Sequence, residues 1–189
     1  MFIQTEQTPN PASLKFLPGC EVMVQGTAEF TDADATSPSP LAERLFKIDG
    51  VAGVFLGSDF VTITKADNIE WPALKPLLLG VIMEHFTTGQ PVMRDEHLSS
   101  AGHVGTSSVS EDDDEVVRQI KELLDTRIRP AVASDGGDIT FSSFEDGIVY
   151  LQMRGACAGC PSSTATLKMG IENLLKHFIP EVTEVRAIN

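Results

Sequence analysis

Apolar and polar positions change period several times along the chain, and each change marks an element. FIQTE and SLKFLPG alternate with a period of two, and the second run ends in Pro18-Gly19, a turn signal. TDADATSPSP reads as a loop, and LAERLFKI (Leu41 to Ile48) as a short amphipathic helix. Val51 to Leu56 and Phe60 to Lys65 flank Gly57-Ser58-Asp59 and read as a hairpin. In its second arm Val61, Ile63 and Lys65 face one way, and Phe60, Thr62 and Thr64 the other. WPALKPLLLGVIMEHFTTG reads as a helix with Pro72 in its first turn and Gly89 past its end, although Pro76 sits early inside it. The order predicted is β-β-α-β-β-α.

Residues 91–110, PVMRDEHLSSAGHVGTSSVS, break the pattern. Rich in Ser and Gly, without aromatics or apolar periodicity, they read as a flexible linker. The acids Glu111 to Glu115 suit the first turn of a helix, whose positive end they face. From about Asp113 to Ala133, Val116, Val117, Ile120, Leu123, Leu124 and Ile128 recur at helical spacing, with Pro130 as a place for a kink. Ser134 to Asp138, SDGGD, is a turn. A hairpin follows around Glu145-Asp146-Gly147, with Val149, Leu151 and Met153 opposite Ile148, Tyr150 and Gln152. A helix from Ser162 to Phe178 and a strand in EVTEVRAI complete α-β-β-α-β. The expected fold class is α+β: two small domains, residues 1–90 and 111–189, joined by the linker at 91–110.

Composition narrows the function. The hydrophobic share of 42% allows a packed core, and the net charge is −13. Both halves are acidic and neither offers a broad basic face, which points away from nucleic acid. No run of about 18 apolar residues exists, so no membrane span is expected. MFIQTEQTPNP has neither a basic, apolar secretory leader nor an arginine-rich presequence, and three cysteines are few and odd in number. These features predict a reducing compartment and a bacterial-type cytoplasmic protein, with a mitochondrial mature form as the less favoured alternative.

Chemistry concentrates in GACAGCPSSTATLKMG. Cys157 and Cys160 follow a strand and precede a helix with N-cap candidates Ser162, Ser163 and Thr164 and an apolar stripe of Leu167, Ile171, Leu174, Leu175 and Phe178. A thiol at the positive end of a helix is expected to have a lowered pKa and to favour the thiolate that binds metal. The small residues Gly155, Ala156, Ala158 and Gly159 let the backbone approach a bulky inorganic group. Three chemistries remain open: an iron–sulfur site, a thiol–disulfide oxidoreductase and a zinc-stabilised interaction module. Metal sites of this type take four protein ligands. His177 lies roughly 25 Å along the following helix and cannot complete the set. Cys20, in LPGCEV, has no close thiol companion and reads as a turn-edge thiol without a ligand role. A two-fold dimer supplies the count, with Cys157 and Cys160 from each of two chains. No general acid, base or activated nucleophile stands out, so no enzyme is expected. Asp135 and Asp138 beside two glycines read as residues that shape a turn and cap backbone groups.

DGGDITF, VYLQMRGACAGCPSSTATLKMGIENLL and PEVTEV resemble the C-terminal domain of NifU-like iron–sulfur proteins, and QTEQTPNPASLKFLPG resembles the N-terminal domain of the Nfu branch. The resemblance implies a scaffold or carrier that holds a labile [4Fe-4S] cluster between two subunits and hands it to recipient apoproteins. The family cysteines fall on Cys157 and Cys160, as both cofactor-binding and metal-ligating residues. Implied partners are a second copy when loaded, recipient apo iron–sulfur proteins and upstream cluster assembly proteins. Cys20 stands where the family pattern has a non-ligand residue.

Overall fold

The computed structural model describes residues 2–94, 114–158 and 161–188. Most of the expected linker, residues 95–110, lies outside them, as do the acids at 111–113. Among the described residues the chain forms two sheets, each with its own helices and apolar core, in the expected α+β class.

The N-terminal sheet comprises β1 (Gln4–Gln7), β2 (Ser13–Leu17), β3 (Ala28–Phe30), β4 (Val51–Leu56) and β5 (Val61–Lys65), in the order β1-β2-β5-β4-β3, all neighbours antiparallel. The short β3 departs from the expected order. AEF offers only three residues of pattern, and its strand character comes from pairing along the edge of β4. Helix α1 (Pro40–Phe46) is capped by Ser39, whose hydroxyl accepts from Ala42 N, and α2 (Trp71–Thr87) carries Pro72 in its first turn as expected. Pro76 leaves α2 intact because the bond it forgoes is in the first turns.

Cross-strand register divides the sheet into faces, because adjacent rows point opposite ways. The row Thr5, Phe16, Val61, Leu56, Ala28 meets the helices, with Phe16, Val61 and Leu56 fully buried against Leu41, Leu45, Leu74, Leu78 and Ile82. One residue along, the row Glu6, Lys15, Thr62, Phe55, Glu29 crosses all five strands on the other face. Residues 91–94, read as the start of the linker, pack on this domain. Met93 joins its core, and the Ser39 hydroxyl donates to Val92 O.

The C-terminal domain opens with α3 (Glu115–Leu123), a wide π-type turn (Leu124–Ile128) and α4 (Arg129–Ser134). Pro130 lacks the N–H that a regular helix would use, and the wide turn takes up the mismatch. The hairpin β6 (Gly137–Glu145) and β7 (Ile148–Gly155) is antiparallel, and β8 (Glu184–Ile188) joins β7 in parallel by way of α5 (Pro161–Phe178). Parallel neighbours require such a crossover. Val149 and Leu151 are buried as expected, against Ile120, Leu124, Ile171 and Leu175. Phe178, expected in the buried stripe, is exposed and lies under the Arg127 guanidinium. No helix among the described residues is long and apolar enough to cross a membrane.

Candidate functional site

The cysteine loop begins where β7 ends. Gly155 has φ +64°, which turns the chain out of the strand at a conformation costly to any residue with a Cβ. A β-carbon there would also lie 2.8 Å from Gly136 O and 2.9 Å from Phe55 Cγ. Gly137, opposite Gly155 in the ladder, is glycine for another reason: a β-carbon would lie 2.6 Å from Cys157 Sγ. The expected SDGGD turn therefore does more than reverse the chain. It leaves the space that the thiol occupies.

Ala156 N donates to Gly136 O and Ala158 N to Gly155 O, and the Thr164 hydroxyl donates to Cys157 O from the first turn of α5. Of the N-cap candidates, Thr164 thus ties the helix to the loop; the side chains of Ser162 and Ser163 lie outside the described residues, and the helix starts at Pro161. Cys160 and Gly159 lie outside the described residues too.

Cys157 is only 6% exposed. Its thiol is pushed up to about 12, first by burial and then by the carboxylates of Asp135 and Asp138. This overturns the expectation of a lowered thiol pKa at a reachable site. The helix terminus is present, but desolvation of the charged form and two facing carboxylates outweigh it. Asp138 caps a backbone group as expected, accepting from Ile139 N at 2.8 Å. It also forms a two-pronged pair with the half-buried Arg129, Nε to Oδ1 at 2.8 Å and Nη2 to Oδ2 at 2.9 Å. Cys20 is a half-exposed free thiol in the other domain, raised by burial alone. Among the described residues, no group of three or more His, Cys, Asp or Glu is placed to hold a metal ion.

The surroundings of the loop include residues that sequence patterning did not single out. Glu29 Oε1 accepts from Gly155 N at 2.8 Å, and Thr62 donates to Gly136 O at 2.7 Å. Lys15 Nζ donates to Ser134 O at 3.2 Å, and Thr27 donates to Asp138 Oδ2 at 2.9 Å. Asn10 donates through Nδ2 to Ala158 O at 3.3 Å. Asn10 is itself held by a local turn in TPNP, its Oδ1 accepting from Ala12 N and its backbone N bonding Thr8 Oγ1. The only hint in the sequence was a polar residue at alternate strand positions.

The chain matches the family descriptions "Scaffold protein Nfu/NifU N terminal" over residues 3–89 and "NifU-like domain" over residues 120–186. It belongs to the NifU-like, Nfu-type family of iron–sulfur cluster scaffold proteins. It is 53% identical over 187 residues to "NifU-like protein 4, mitochondrial" of Arabidopsis thaliana, covering 98% of this chain and 65% of that protein. It is 51% identical over 189 residues to "NFU1 iron-sulfur cluster scaffold homolog, mitochondrial" of Drosophila erecta, covering 100% of this chain and 65% of that protein. The solution structure of a NifU-like protein from Saccharomyces cerevisiae is 28% identical with a TM-score of 0.41, covering 50% of this chain and 86% of that one. The chain thus spans just under two thirds of the length of these curated relatives. The names of these relatives overturn the expected bacterial-type cytoplasmic setting and point to mitochondria. That expectation rested on the absence of a presequence in MFIQTEQTPNP, and a shared region says nothing of what precedes it.

Proposed function

We propose that the chain is a scaffold and carrier that binds a labile [4Fe-4S] cluster between two copies of itself and passes it to recipient apoproteins. Cys157 and Cys160 of each copy are the four ligands. The two domains are residues 1–90 and 111–189, with the tether between them. The observation that carries the reading is the loop itself: a cysteine at a strand-to-helix turn, cradled by Gly137 and Gly155, with a second cysteine three residues on. Paired thiol donors suit an iron- and sulfide-containing cargo. Each chain supplies two thiols, so sharing between chains completes the set.

Transfer is ligand exchange. An iron–thiolate bond to this chain breaks as one to a recipient cysteine forms; the recipient thiol gives up its proton and the released thiolate takes one up, so no net proton is consumed. No residue here acts as a catalyst. A thiol–disulfide oxidoreductase of the thioredoxin type would carry its C-x-x-C after a βαβ lead-in, and here an antiparallel hairpin precedes it. Upstream assembly proteins supply the cluster, and apo iron–sulfur proteins receive it.

Anaerobic reconstitution with iron and sulfide tests the reading. Iron is expected to reach about four atoms per dimer, with light scattering giving twice the monomer mass. An apo aconitase-type recipient should regain activity with a chelator present. A monomer carrying a full cluster, or activation that disappears once free iron is trapped, refutes it.

A further inference from the structure

The outer row of the N-terminal sheet is the part of the molecule that the scaffold reading leaves unused. Glu6, Lys15, Thr62, Phe55 and Glu29 are cross-strand neighbours in one line on the face away from the helices. Such a row is ordinarily solvated. Here Thr62 is 1% exposed, Phe55 2% and Lys15 7%. What covers them is the base of the cysteine loop. Lys15 bonds Ser134 O, Thr62 bonds Gly136 O, Phe55 lies against Gly155, and Glu29 bonds Gly155 N. Asn10 adds a bond to Ala158 O.

These partners lie on both sides of Cys157 in the chain. Gly155 and Ala158 are each held by a side chain of the other domain, and the turn whose Gly137 abuts Sγ is held by Thr62 at Gly136. Asn10, Phe55 and Glu29 thus border the loop on both sides of Cys157 in the chain. The contacts are nonetheless suited to release. Apart from Phe55 they are hydrogen bonds, and polar interfaces between domains of one chain part more readily than apolar ones. The apolar cores on either side are separate, so parting leaves each intact.

We propose that the N-terminal domain is a lid: in the cluster-free chain its outer sheet row closes over the base of the cysteine loop, and its release is the step that precedes loading. This rests on Cys157 being a ligand, and its test is chosen to stand apart from that reading.

The test uses the full chain with Cys20→Ser and Cys160→Ser, which leaves Cys157 as the one thiol of three. Thr62→Arg and Glu29→Arg place a long charged side chain in the seam, and Glu29→Gln keeps an acceptor for Gly155 N. Alkylation by N-ethylmaleimide is timed under native conditions, and amide exchange is followed at Gly155. Both arginine variants should alkylate about tenfold faster or more and lose protection at Gly155, with Glu29→Gln at or below the parent rate. Glu29 sits on the edge strand β3, so Glu29→Arg remains informative where Thr62→Arg fails to fold. Equal rates in parent and Glu29→Arg, or an unprotected Gly155 amide in the parent, overturn the lid. Iron and sulfide uptake with all cysteines restored separates the two readings. Alkylation rates that diverge as expected in a chain that takes up no cluster uphold the lid and sink the scaffold. Equal alkylation rates in a chain that loads normally do the reverse.

Discussion

Cys20 and Cys157 make a natural pair: each follows a strand, with a positive-φ glycine one residue before Cys20 and two before Cys157. Gly19 has φ +78° and open space where a Cβ would go. Gly155 has φ +64° and is hemmed by Gly136 O, Phe55 and Gly137 Cα. Cys20 is a half-exposed thiol on a surface turn, while Cys157 is sealed between a strand end and a helix start and faced by two carboxylates. The comparison teaches that burial is a poor mark of an idle cysteine. What distinguishes Cys157 is the set of neighbours kept small for it and the second cysteine three residues on.

The sharpest way to break this contrast is to remove the thiols in turn. Cys157→Ser and Cys160→Ser should each abolish the visible absorption of the reconstituted cluster, since one substitution takes two of four ligands from a dimer. Cys20→Ser should leave it at full intensity, and an equal loss in Cys20→Ser would erase the distinction. Next in size is Asp138→Ala. It strips the half-buried Arg129 of its two-pronged partner beside Gly137, leaving it Asp125, and should cost about 2–3 kcal/mol in urea unfolding. A cost below about 1 kcal/mol would mean that the pair does not anchor the loop.

The two glycines give a smaller and more direct comparison. Gly155→Ala should cost about 2 kcal/mol or more, because the strained φ is joined by backbone overlap. Gly19→Ala, with strain alone, should cost about 1 kcal/mol. Equal losses in thermal melts would remove crowding from the account.

The smallest effect concerns Glu29. Burial raises its carboxyl above the ordinary value, and the Gly155 N–H and the charge of Arg154 only partly offset this. A raised carboxyl binds its proton more tightly in the docked arrangement than in the open one. Docking is therefore favoured as the pH falls through the raised value, and weakened above it. Glu29→Gln mimics the protonated form and should slow Gly155 amide exchange by about twofold at neutral pH and flatten its pH dependence. Faster exchange in the glutamine variant would show that the charge, and not the acceptor, holds the seam.

The elements legible in the sequence were those with long, clean periods. Val61 and Ile63, or Val149 and Leu151, announce their faces by strict alternation, and the C-x-x-C spacing announces the loop. The edge strand Ala28–Phe30 is too short to carry a period and exists by pairing with β4. Thr62 was placed only opposite Val61 and Ile63, and Lys15 and Glu29 were not singled out. Nothing local distinguishes a row that meets water from one that meets another domain, because the covering surface lies more than 70 residues away in the chain. The state of the Cys157 thiol was misread for a related reason. The helix start is visible at 161, but the burial and the facing Asp135 and Asp138 arise from chain folding back.

The wide turn at Leu124–Ile128 bears on which lengths of chain the fold accepts. A π-type turn holds one residue more than a regular helical turn, so it is a place where the helix has absorbed an insertion. Removing the exposed Thr126 would let the turn tighten to regular geometry while Ile120 and Val132 keep their seats in the core. Removing a residue from Glu115–Leu123 instead would rotate everything before it by about 100° and carry its apolar face away from the sheet. Chains of this fold that are one residue shorter here should therefore melt close to this one, whereas a deletion one turn earlier should not fold.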